Sequence, residues 1–110
     1  IIVIFPEHEA RSPRKVVNTV VTAYSSTPDQ TDDSPFITSN GRRVYDGLVA
    51  ANWLPYGTRV RFPEIYGEKV FTINDRMNER YRSGRVDVWL DKPIDEVRAF
   101  GVKYVKMEIF

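Results

Sequence analysis

A chain of 110 residues has the size of one ordinary domain and is too short for two independent cores, so a single principal site is expected. Its 42% hydrophobic and 28% charged residues give the balance of a folded soluble domain and not of a disordered tail. A net charge of +1, from 16 Lys plus Arg against 15 Asp plus Glu, speaks against a global field that gathers nucleic acid or anionic lipid, and the lack of cysteine excludes disulfides, thiolate nucleophiles and Cys-ligated metals.

The opening run Ile1 to Phe5 is too short for a membrane span or a whole signal sequence; it reads as an edge strand or as what remains after removal of an export signal. Pro6 to Arg14, with two prolines, mixed charge and the only histidine, His8, reads as a connector. From Lys15 to Ser25 the density of β-branched residues predicts a strand buried on both faces for much of its length. Ser26 to Gly41 is a long loop by composition. Gly47 to Ala51, Thr58 to Phe62, Lys69 to Asn74 and Val86 to Leu90 are short strand-like runs, set apart by turn signals at Pro55, Gly57, Pro63, Gly67 and Gly84. Many short strands at close spacing predict a small barrel. One helix follows, with Asp91 as its cap, Pro93 in its first turn, Ile94, Val97 and Phe100 at helical spacing, and Gly101 as its stop. Val102 to Ile109 closes the chain as a strand with Val105, Met107 and Ile109 on its core face.

The most informative strand for chemistry is Arg85 to Leu90. Alternation sends Val86, Val88 and Leu90 to the core and Arg85, Asp87 and Trp89 to the other face. An aspartate beside an indole is partly desolvated, which raises its pKa toward the range of a general acid, whereas an aspartate simply paired with Arg85 on a solvated face is the plain alternative. Asp75, in the run Asn74 to Asn78 at a strand end, is the second candidate carboxylate; local bracing of a turn by Asp75 and Arg76 is its plain alternative. Asp29, Asp32 and Asp33 lack the central Gly and final Glu of an EF-hand and read as a solvated acidic loop. With one histidine and no cysteine, no metal site is expected, and the serines have no histidine base in the folded part, so a serine hydrolase is not expected either.

Five stretches in order resemble a known superfamily: VTAYSSTPDQT (Val21 to Thr31), ITSNGRRVYDGLVAAN (Ile37 to Asn52), LPYGTRVRF (Leu54 to Phe62), INDRMNERYRSGRVDVWL (Ile73 to Leu90) and AFGVKYVKMEI (Ala99 to Ile109). Together they resemble the 3D domain and the RlpA-like and MltA-type proteins of the double-psi β-barrel superfamily, over roughly Val20 to the C-terminus. The resemblance implies a mainly β fold: a small six-stranded double-psi β-barrel over residues 16–110 with one short helix near the C-terminus, preceded by an extension or edge strand over residues 1–15. It implies Asp87 as the catalytic acid and Asp75 as the second carboxylate, with Thr22 as a hydroxyl lining the groove. Asn52 departs from the family, which carries Asp or His ahead of the Leu-Pro-x-Gly-Thr turn; an amide there is left with hydrogen bonding to sugar or orienting a carboxylate. The loop Met77 to Gly84 also replaces the glycine-rich loop of 3D domains.

What the resemblance implies for activity is a lytic transglycosylase cleaving the β-1,4 bond between N-acetylmuramic acid and N-acetylglucosamine in peptidoglycan, with one aspartate and no cofactor. Tyr24, Trp89 and Tyr81 are the candidates for stacking on sugar rings, and Arg76 and Arg85 for meeting substrate carboxylates. The expected setting is the bacterial envelope or exterior, as a monomer acting on glycan strands, with no nucleic-acid partner and no membrane span in this chain. The alternatives are a non-catalytic barrel that binds peptidoglycan or another polysaccharide, or a protein partner, and, against the near-neutral charge, a barrel that binds DNA.

Overall fold

In a computed structural model, the structure describes residues 12–26, 38, 41 and 43–110. The run Ile1 to Phe5, His8, most of the connector, and the acidic loop with Asp29, Asp32 and Asp33 lie outside the described residues. Six strands form a closed barrel: β1 (Lys15–Tyr24), β2 (Leu48–Ala50), β3 (Arg59–Arg61), β4 (Val70–Asp75), β5 (Arg85–Trp89) and β6 (Lys103–Ile109). Among the described residues two helices accompany them, α1 (Pro63–Tyr66) and α2 (Ile94–Phe100). The fold is therefore mainly β with a short helix near the C-terminus, as the sequence predicts. The order around the barrel is β1-β5-β2-β4-β3-β6, compatible with a double-psi barrel. β1 runs parallel to β5 and β2 parallel to β4, and the other neighbours are antiparallel.

The barrel closes around side chains that alternate inward. Val21, Val49, Val60, Phe71, Ile73, Val86, Val88 and Met107 are fully or almost fully buried there. Phe62 meets Phe71 edge-on at 5.3 Å, and Tyr66 of α1 leans on the same ring at 5.0 Å. Closure leaves no open sheet edge, which removes the pairing hazard that short strands otherwise carry.

Three local expectations are corrected. β1 is buried on both faces only toward its end, because β5 joins it from Val20 onward while Lys15 to Thr19 pair with β6 alone; Val16 is 51% exposed. Asp91 does not cap α2. Pro93 holds the N-cap position without a side-chain bond, while Gly101 stops the helix at φ 69°. The third is α1, where the sequence reads only a turn at Pro63: proline suits its first turn, and Ile65 and Tyr66 fold back onto the core.

Candidate functional site

The outward face of β1, β5, β2 and β4 carries a continuous row. Thr22 pairs with Asp87, Asp87 with Ala50, and Ala50 with Asp75, so residues from four neighbouring strands line up across the barrel wall. Adjacent strands lie about 4.8 Å apart, which sets the two aspartates two strands apart with only a methyl group between them. Ala50 is itself buried in the apolar packing of this face, so a larger residue there would crowd both carboxylates.

Asp75 reaches this face through an irregularity. Strict alternation along β4 would turn Asp75 inward with Phe71 and Ile73. Instead Val49 faces Ile73 while the next residue, Ala50, faces Asp75, so Asn74 is the extra residue of a β-bulge. Bulges re-aim side chains in this way. The Tyr24 hydroxyl donates to Asp75 Oδ2 at 2.9 Å, the Arg76 backbone N–H donates to Asp75 Oδ1 at 2.9 Å, and the Asn74 amide donates to the Tyr45 hydroxyl at 2.7 Å.

Asp87 is half-buried. Its Oδ1 accepts the Thr22 hydroxyl at 2.8 Å. Burial pushes the carboxyl up from 3.8 to about 6; the Thr22 hydrogen bond and the Arg85 charge pull it down, and the Asp75 charge adds a further upward push. Tyr24, buried beside both carboxylates, has its phenol pushed well above the ordinary value, first by burial and then by the Asp75 charge. The tyrosine is thus kept as a protonated hydrogen-bond donor to Asp75 and does not serve as an acid.

A second, smaller apolar cluster covers part of this outer face: Tyr24, Leu48, Ala50 and Trp89, flanked by Val44, Tyr45 and Met77. Trp89 is 8% exposed and Tyr24 7%, so both rings pack against their neighbours and leave little face for stacking on a sugar. Trp89 Nε1 donates to the Ser26 hydroxyl at 2.9 Å. The indole that alternation sets on the outer face is part of what desolvates that face.

The remaining candidates are spent on loops. Asn52 Nδ2 donates to the carbonyls of Asn78 (2.9 Å) and Tyr81 (2.7 Å), and its Oδ1 accepts the Met77 backbone N–H at 2.9 Å. Its amide therefore ties the loop after β4 to the end of β2. Arg76 Nη1 donates to the carbonyls of Ala51 (2.6 Å) and Leu54 (2.7 Å), and its guanidinium lies 3.9 Å from the Tyr56 ring centre. Arg85 lies 4.2 Å from the Tyr81 ring centre. Asn52, Trp53, Arg76, Met77, Tyr81 and Arg82 line a cleft of about 520 Å³ at the loop that follows β4, and neither Asp75 nor Asp87 is part of its lining.

Thr22, Tyr24, Asp75 and Asp87 thus come together, Arg85 stands beside them, and Asn52 and Arg76 frame the neighbouring cleft. Sequence reasoning missed Ala50 as the spacer and Tyr45 as the partner of Asn74; the small residues Ala50 and Ala51 at the end of the apolar run are the sequence signal for the former. Among the described residues no group of three His, Cys, Asp or Glu is placed to hold a metal ion. Comparison of the sequence with protein-family models finds no match, and comparison with curated proteins finds no similar chain.

Proposed function

We propose that this barrel belongs with the RlpA-like and 3D-type double-psi proteins and acts as a lytic transglycosylase on peptidoglycan, with Asp87 as its one acid and base. The observation that carries the reading is the carboxyl of Asp87, half-buried, held by Thr22 and raised to about 6. A carboxyl at that value is protonated in roughly a tenth of molecules at pH 7 and in most of them below pH 6, so it can donate a proton and take one back.

The chemistry needs one such group. Asp87 donates its proton to the glycosidic oxygen as the bond to muramoyl C1 breaks. The resulting carboxylate then takes the proton from the C6 hydroxyl while that oxygen bonds to C1, leaving a 1,6-anhydro end and a protonated Asp87. Asp75, held by the Tyr24 hydroxyl and the Arg76 N–H, is the second carboxylate, whose charge favours the proton on Asp87 and the positive charge developing at C1. The cleft lined by Asn52, Arg76 and Tyr81 is the adjoining surface for the glycan chain, and the proposed setting is the bacterial envelope.

The test is mass spectrometry of muropeptides released from purified sacculi by the wild-type protein and by Asp87→Asn over roughly pH 5 to 8. Anhydro-muropeptides from the wild type alone are expected. Their absence from the wild type at every pH overturns the enzyme reading, and co-sedimentation with sacculi in that case identifies a glycan-binding barrel.

A further inference from the structure

Arg85 carries a buried polar atom without a partner: its Nε has no hydrogen-bond acceptor. Buried guanidinium donors left unpaired are costly, so such an atom calls for a partner in another state of the protein. Asp87 lies two residues along the same strand face, about 7 Å away along the backbone and within reach of an arginine side chain. Its Oδ1 is engaged by Thr22, and among the described residues no donor reaches Oδ2. An unmatched donor and an unmatched acceptor therefore belong to neighbouring residues on one strand face.

The guanidinium is held from outside. The Tyr81 ring covers it at 4.2 Å, Arg80 sits on the same ring at 4.8 Å and bonds the Tyr81 hydroxyl at 2.7 Å, and the Tyr81 carbonyl is tied to Asn52 at 2.7 Å. Trp53 Nε1 fixes the Arg85 carbonyl at 3.0 Å. We propose that Arg85 is a positioning residue that receives Asp87 once it has lost its proton, through Nε and Oδ2, and that Asn52 and Tyr81 form the bracket that keeps Arg85 in place. In this arrangement the amide at position 52 acts on the acid from a distance, through the loop. As a step in catalysis the inference rests on the reading of Asp87 as the proton donor; as a statement about the protonation of Asp87 it does not.

The groups facing Asp87 are Thr22 and Tyr24 from β1, Arg85 from its own strand and Asp75 from β4, while β2 presents uncharged Ala50. Of these, only Arg85 brings a positive charge. Titration of the Asp87 carboxyl carbon by NMR in the free protein tests the proposal without substrate. Arg85→Met is expected to raise the proton affinity of Asp87 on the order of tenfold, Arg85→Lys to recover part of it, and Tyr81→Leu and Asn52→Ala to raise it by smaller factors in that order. An unchanged titration in folded Arg85→Met overturns the proposal; should that variant fail to fold, an unchanged titration in Tyr81→Leu does so. A shift in Arg85→Met with none in Asn52→Ala overturns the bracket. Because sacculus digestion is read separately, loss of the enzyme reading and loss of this inference are told apart.

Discussion

Replacing Asp87 by Asn is expected to abolish cleavage and at the same time to stabilise the protein at neutral pH. The folded carboxyl titrates near 6, while in the unfolded chain it returns to about 3.8. Between those values the native state binds more protons than the unfolded state, so stability falls as pH rises through the window. The contribution of Asp87 is present in full below the unfolded value and is lost above the folded one. About two pH units at about 1.4 kcal/mol per unit give on the order of 3 kcal/mol, the net cost of ionising this carboxyl against its buried surroundings at pH 7. Asparagine has nearly the same shape, keeps an oxygen for the Thr22 hydroxyl, and never ionises. Urea unfolding of both proteins at several pH values is the assay: the Asn variant is expected to gain up to about 3 kcal/mol over the wild type above pH 6.5 and nothing below pH 4. A variant less stable than the wild type at neutral pH, or a difference that does not change with pH, would refute the argument that burial dominates the Asp87 environment.

Thr22→Val removes the hydroxyl that favours the ionised form of Asp87 while keeping the branched shape. A hydrogen bond to an ionised group contributes roughly 1.5–3 kcal/mol, so the upper pH limit of muropeptide release is expected to move alkaline by one unit or more, read from a pH–rate profile. Asn52→Ala removes the tie between the end of β2 and the loop after β4 and is expected to cost about 1–3 kcal/mol in urea unfolding, with faster amide exchange over residues 77–81. Ala50→Leu overpacks the buried position between the two carboxylates and is expected to abolish release of muropeptides at a cost of about 1–3 kcal/mol in urea unfolding, with the fold checked by circular dichroism. Phe71→Ala empties the centre of the barrel beneath Phe62 and Tyr66 and is expected to cost about 3–5 kcal/mol, measured by thermal or urea unfolding.

Short-range physics decided much of this protein. Alternation along Arg85 to Trp89 and Lys103 to Ile109, the turn residues between runs, and the helix ended by Gly101 are properties of a few neighbouring residues, and they were legible in the sequence. So was the placement of Asp87 opposite Val86 and Val88. What the tertiary structure alone decided depends on partners far apart in the chain. Asp75 faces outward because Asn74 is an extra residue against β2, and a bulge is a property of a pair of strands, not of one. Trp89 is covered because Tyr24, Leu48 and Ala50 come from other strands to meet it. Asn52 grips a loop some 25 residues away, a contact no local pattern encodes. The chain itself supplies Asp75 and Asp87; the closed barrel buries Asp87 and sets Asp75 across Ala50 from it, and these two raise its proton affinity against the opposing pull of Thr22 and Arg85.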